Sequence, residues 1–310
     1  MAHRRIGQEV MGFARAERRS GLDEIEAVID WAPLAARLAP IYASPKGEPG
    51  WPPLALFKGL LVAFWHDLSD GQLAEALEDR RSFRRFCGFS ENAPTPERTA
   101  FVRLRRELIR RRLEKPLFGE VVRQLDARGL TVRTGTLVDA TVIRAASRSD
   151  GQAGWKAWGD GAPVRGYKAH VASDEAGGIV RRVTVTAANV ADTKGAARLL
   201  DRHPGRVWAD SAYDQGPFVA RIRRRRGEPR IARRQHARSR PALNAAKRAW
   251  NATIRPVRAR IEKIFGTAKR SYGMARARYL GRRRVSLQGH LTFLAYNLKR
   301  AAALLRAEAV

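Results

Sequence analysis

Three carboxylates stand where an acid-poor chain has least reason to put them. The sequence carries 60 Lys and Arg against 30 Asp and Glu over 310 residues, a formal net charge of +30. Asp139 lies inside Thr136-Leu137-Val138-Asp139-Ala140-Thr141-Val142-Ile143, a β-branched run that reads as a strand. A charge inside such a run needs a partner or a metal ion. Asp210 directly follows the short predicted strand Val207-Trp208-Ala209, at the strand end where open α/β sheets place their ligands. Glu262 falls on a long predicted helix. At about 100° per residue, Arg258, Glu262 and Lys269 lie within roughly 40° of one another, beside an apolar face of Val257, Ile261, Ile264, Phe265 and Ala268. Carboxylates converging on hard cations suit phosphodiester chemistry at a two-metal centre, with ions roughly 3.5–4 Å apart. Magnesium takes oxygen ligands and keeps several waters, so few protein carboxylates suffice. Each residue also has an ordinary reading. Asp139 and Asp210 fit strand-end or cap aspartates, and Glu262 fits an i,i+4 surface ion pair with Arg258. Asp214 rivals Asp210 but is not at the strand end itself.

The charge balance points to a polyanionic partner. Codon usage can explain arginine over lysine, but not base over acid. Residues 221–240 hold ten arginines and one acid, either a solvated charge run or a surface that tracks phosphates. The one cysteine, Cys87, excludes an internal disulfide framework and a multi-cysteine zinc site, and its phenylalanine neighbours suit a small buried hydrophobe. Met1 to Met11 is polar, without the apolar core of a leader. The most apolar stretch, Leu54 to Leu68, is interrupted by Lys58, His66 and Asp67 and is too short to span a bilayer. The expectation is a cytoplasmic protein with no membrane partner.

Two kinds of segment must position the carboxylates. Residues 1–128 read as an all-α N-terminal domain. Its predicted helices are Asp23–Trp31, Leu54–Phe64 after Pro52-Pro53, Gln72–Asp79, one opened by Thr95-Pro96-Glu97 and lined with Arg103, Arg105 and Arg106, and Pro116–Arg128 ending at Gly129. Residues 129–310 change grammar. Strands are predicted at Thr136–Ile143, Gly166–Ser173 and Ile179–Thr186, with a hairpin turn at Asp174-Glu175-Ala176-Gly177-Gly178. Then come a helix at Ala191–Leu200, the strand before Asp210, a helix at Gly216–Arg225, a weak strand at Pro229–Ala232, and helices at Pro241–Ser271, with a break near Pro256, and Ser286–Ala307. Arg144–Arg165, with Gly, Ser, Asp and lone tryptophans, reads as a loop. Three meandering strands followed by αβ units give the ribonuclease H-like order, a mixed five-stranded sheet flanked by helices. Within it, Lys168 and His170 alternate with apolar residues and read as solvent-facing, able to reach DNA or the site. Asn189 and Asp192 read as turn and cap residues. Trp208 reads as core, with base stacking the rival.

Five blocks in this order resemble a known family. They are Leu137-Val138-Asp139-Ala140-Thr141, Gly166-Tyr167-Lys168-Ala169-His170-Val171, Thr186-Ala187-Ala188-Asn189-Val190-Ala191-Asp192, Ala209-Asp210-Ser211-Ala212-Tyr213-Asp214, and Arg258 through Gly266. They look like the ordered motifs of DDE transposases of bacterial insertion sequences, in particular the insertion-sequence-five group. The helical stretch from Trp51 to Phe86 and the Thr95-Pro96 helix resemble its N-terminal region. The resemblance implies a ribonuclease H-like fold with Asp139, Asp210 and Glu262 as catalytic, metal-binding triad. It implies two Mg²⁺ ions, with Mn²⁺ able to substitute, and double-stranded DNA as partner, both terminal inverted repeats and target. It implies a homodimer or larger assembly on DNA. The family's helix signature spaces Tyr, Arg, Glu and Lys; Arg258, Glu262 and Lys269 match, while Arg255 stands at the tyrosine position. Arg255, Arg258, Lys269, Arg103, Arg105, Arg106 and Lys168 are the expected DNA contacts. The expected activity is hydrolysis at the transposon end and joining of the freed 3′-hydroxyl to target DNA. The alternative is a decayed, non-catalytic DNA-binding relative.

Overall fold

The computed structural model describes residues 20–41, 50–90, 93–131, 134–158, 161–235 and 240–308. The leader reading of Met1–Met11 falls outside these residues. The helical region comprises α1 (Gly21–Glu26), α2 (Ala32–Leu38), α3 (Pro53–Trp65), α4 (Asp70–Asp79), α5 (Arg81–Cys87), α6 (Arg98–Arg110) and α7 (Glu114–Ala127). The segment predicted as one helix over Asp23–Trp31 is split, because the chain turns at Ala27–Asp30 before α2. α3 starts on paired prolines and is buried on every face from Ala55 to Trp65, so it is the axis of the helical region. A reciprocal capping box starts α4: Gln72 N donates to Ser69 Oγ at 3.3 Å, and Ser69 N donates to Gln72 Oε1 at 2.9 Å. After α7, Gly129 takes φ +72°, the left-handed turn that lets the chain enter the sheet.

The sheet contains β1 (Gly135–Arg144), β2 (Gly154–Trp158), β3 (Gly161–Asp174), β4 (Val180–Ala187), β5 (Arg206–Ala209) and β6 (Glu228–Ile231). Its order is β2-β3-β1-β5-β6, with β4 also paired to β3. β3 runs antiparallel to β1, β2 and β4, while β5 runs parallel to both β1 and β6. The sheet therefore has six strands rather than five. The extra one, β2, lies in the stretch read as a loop. That stretch is anchored by the buried Asp150, whose carboxylate accepts from Tyr167 Oη at 2.7 Å and from Gly281 N at 3.0 Å.

Helices cover both faces. α8 (Asp192–Ala196) and α9 (Gly216–Arg224) lie on one side, α10 (Pro241–Ser271) and α11 (Arg282–Glu308) on the other. α8 is shorter than the predicted Ala191–Leu200. α10 runs through Pro256 without a break, held against the sheet by Ile254, Ile261, Ile264, Phe265 and Ala268. α11 joins the two halves: it packs on β4 and also on α3, α6 and α7, and Trp65 Nε1 donates to Ala295 O at 2.8 Å. One apolar core runs from the helical region into the sheet; a smaller one lies under α8 and α9. No helix among the described residues is long and apolar enough to cross a membrane.

Candidate active site

The parallel register of β1 and β5 brings two aspartates together. Leu137 pairs with Trp208, so Asp139 and Asp210, each two residues on, lie level on the same sheet face. Asp139 Oδ1 accepts from Ala140 N at 2.7 Å. Asp210 closes β5 and caps the short 3-10 turn Ser211–Tyr213, its Oδ1 accepting from Ala212 N at 2.8 Å. α10 crosses this face, and Arg258 Nη2 comes to 4.0 Å from Asp139 Oδ2.

Burial is the main force on Asp139 and pushes its pKa up to about 7. The Ala140 hydrogen bond and Arg258 pull down; the negative charges of Asp210 and Asp192 push up. Tyr213 stands beside the same three aspartates, and its buried hydroxyl has no hydrogen-bond partner among the described residues. Arg258 Nε is likewise buried without one. Two neighbouring carboxyl groups beside the orphaned Tyr213 hydroxyl form an oxygen-donor set that suits a hydrated hard cation. The residues present therefore fit a divalent metal held by Asp139 and Asp210. Among the described residues, no group of three or more His, Cys, Asp or Glu side chains converges to cage an ion.

Glu262 lies one helical turn beyond Arg258, exposed, and pairs with no described residue in an ion pair. The i,i+4 pair with Arg258 is not formed, because Arg258 turns to Asp139 instead. Arg255 is exposed on the same helix. Lys269 is half-buried, and burial with the nearby Arg144 charge lowers its pKa.

Other expected contacts are placed differently. Lys168 is buried under α8, its Nζ 2.6 Å from Asp192 Oδ1, rather than solvent-facing. Burial is the largest influence on Asp192 and raises its pKa, but the hydrogen bond and charge of Lys168, with the charges of Lys156 and His170, together outweigh it and leave the pKa lowered. His170 is fully buried too: its Nε2 lies 2.8 Å from Thr186 Oγ1, and burial pushes its pKa down to about 4. Both faces of β3 are covered, so alternation there does not mark a wet side. Arg105 is also buried. It is 7% exposed, donates to Asp70 Oδ1 at 2.6 Å, and stacks over Tyr279. Its neighbours Arg103 and Arg106 on α6 are exposed. Trp208 is core, its Nε1 bonded to the buried Glu175. Tyr213 and Asp192 are the site neighbours that sequence reasoning passed over. Both lie inside the quoted blocks, which was the available signal.

The α/β order, with Asp139 in the middle of β1 level with Asp210 just past the end of β5, defines a ribonuclease H-like fold. A family model described as Transposase DDE domain matches residues 130–298, and one described as Transposase domain (DUF772) matches residues 13–107. The chain belongs to the DDE transposases of insertion-sequence type. No solved structure matches it.

Proposed function

We propose that this protein cuts transposon-end DNA by metal-dependent phosphodiester hydrolysis and joins the freed 3′-hydroxyl to target DNA at the same site. The observation that carries the reading is the level pairing of Asp139 and Asp210 on parallel strands, under a helix whose Arg258 reaches the first of them. Asp139, Asp210 and Glu262 are the proposed triad, and Mg²⁺, with Mn²⁺ able to substitute, is the proposed metal. A bound divalent ion supplies activation of the attacking oxygen and charge neutralisation at the leaving oxygen. Asp139 keeps a proton on its carboxylate up to about pH 7 when the pair stands alone. Arg258 orients Asp139 and offers its remaining donors to a scissile phosphate. Arg255 and Lys269 extend that contact along α10, and the exposed Arg103 and Arg106 on α6 hold the terminal repeat. Two ends must be joined, so the working form is a dimer or larger on DNA, and the ordered blocks favour the insertion-sequence-five group.

The test is nicking and joining of a duplex carrying the flanking terminal repeats, with Mg²⁺ or Mn²⁺. Asp139→Ala, Asp210→Ala and Glu262→Ala should each abolish end-specific cutting and leave DNA binding intact. If wild type binds but does not cut under varied metal and salt, the chain is a DNA-binding remnant. If Glu262→Ala alone still cuts, the third carboxylate is misassigned.

A further inference from the structure

Part of the arginine-rich stretch joins basic residues that the sequence keeps far away. Arg221, Arg224 and Arg226, at the end of α9 and just beyond it, face the segment that leads into β5, which supplies Arg198 and Arg202; Arg182, near the start of β4, completes the lining. They border a cavity of about 780 Å³ whose lining, among the described residues, comprises seven arginines, His203, Ala197 and Leu200 and no acid. An adjoining cavity of about 790 Å³ shares Arg182, Arg198, Arg202 and His203 and continues to Lys115 and Arg123 on α7, with Asp126 and Asp201 also in its lining and Arg123 paired with Glu120.

Some of these cations hold the walls. Asp201 takes both Arg181 and Arg182, Arg225 donates to Asp201 O at 2.9 Å, and Arg221 donates to Ala197 O at 3.2 Å. Arg198, Arg202, Arg224 and Arg226 form no ion pair with a described residue. Guanidinium groups crowded into one trough repel one another unless an anion joins them. Their planar donors match phosphate in pairs. Two adjoining cavities suit a row of phosphates better than one small anion. The trough lies at the amino ends of β5 and β6, whereas Asp139 and Asp210 lie level with the carboxyl end of β5. Four residues of β5 at about 3.3 Å each put at least ~13 Å of strand between them.

We propose that this trough is a second phosphate-backbone site for duplex DNA, apart from the carboxylate centre. It extends the proposed function but does not depend on cutting, so its test runs without metal. Binding of a duplex of about 40 base pairs is followed by fluorescence anisotropy in EDTA, between roughly 50 and 200 mM salt. The proteins compared are wild type, the trough variant Arg198→Gln/Arg202→Gln/Arg224→Gln, and the control Arg98→Gln/Arg283→Gln/Arg306→Gln. All six positions are exposed, and both variants lose the same charge; thermal melts confirm that they fold. The trough variant should bind at least about tenfold more weakly at 0.1 M salt, its plot of log affinity against log salt shallower by about 2–3. The control should stay within about twofold of wild type. Equal losses in both variants would reduce the effect to net charge and overturn the proposal, as would wild-type binding by the trough variant. RNA of equal length that displaces DNA from wild type more readily than DNA itself would reassign the trough to RNA and overturn it too.

Discussion

Asp139→Asn should make the metal-free protein more stable at pH 8 and leave it unchanged at pH 4. The folded carboxyl ionises at about 7 against an ordinary 3.8, so the folded state holds a proton that the unfolded chain gives up. A raised carboxyl contributes stability fully present below the ordinary value and lost as pH climbs through about 7. At about 1.4 kcal/mol per pH unit between the two values, the loss approaches roughly 4 kcal/mol by pH 8. That figure is an upper bound: the side chain keeps 18% of its surface accessible, so water screens part of the penalty. The asparagine keeps the shape and cannot ionise, so it escapes the loss. Urea denaturation in EDTA at intervals from pH 4 to 8, on both proteins, isolates Asp139 because every other titrating group is shared. The gap should open between pH 4 and 7 and favour the variant. Excess Mg²⁺ at pH 8 should then stabilise wild type, by about 2.7 kcal/mol at a hundredfold excess over Kd, and do far less for the variant. A gap that stays flat with pH would refute the argument that burial and Asp210 strain this carboxylate.

Two further substitutions probe residues that the fold keeps inside. Arg105→Ala breaks a largely buried ion pair with Asp70 and should cost roughly 3 kcal/mol. In a double-mutant cycle with Asp70→Asn the losses should be far from additive, while the salt slope of DNA binding holds; an unchanged melt with weaker DNA binding would restore Arg105 as a DNA contact. Gly195→Ala would set a methyl 2.4 Å from the buried His170 ring, and forced repacking should cost on the order of 1–3 kcal/mol. His170→Ala should relieve most of that cost in the double variant, as judged by melting; additive losses would show that the clash is not with the ring.

The two aspartates were legible in the sequence because strand chemistry is local. A β-branched run marks β1 and the short apolar Val207-Trp208-Ala209 marks β5, and an acid inside or directly after such a segment stands out against so basic a chain. Their meeting follows from topology, since a β1–β5 parallel pair puts residues of equal offset side by side. What was not legible depends on partners distant in the chain. β2 was hidden because the stretch around it, with its glycines, polar residues and two tryptophans, has the composition of a loop, and only pairing with β3 makes Gly154–Trp158 a strand. α10 passes Pro256 because tertiary burial from Ile254 to Ala268 outweighs the hydrogen bond that proline removes. Lys168 and His170 looked wet by alternation, yet α8 covers that face.

Those buried groups bear on how the site is set. Lys168 holds Asp192, whose charge also reaches Asp139 and Tyr213. Asp192 thus adds negative charge near the two aspartates, while Lys168 is held inside the fold by its bond to Asp192. Arg258 supplies the opposing positive charge from α10. The carboxylates stand between a fixed anion anchored beneath α8 and a cation on a helix that also carries Arg255, Glu262 and Lys269. A shift of α10 along the sheet would therefore change the Arg258–Asp139 separation and the position of Glu262 together. Under the proposed function, substrate contacts made by Arg255 or Lys269 would act on the same helix that carries the third proposed carboxylate.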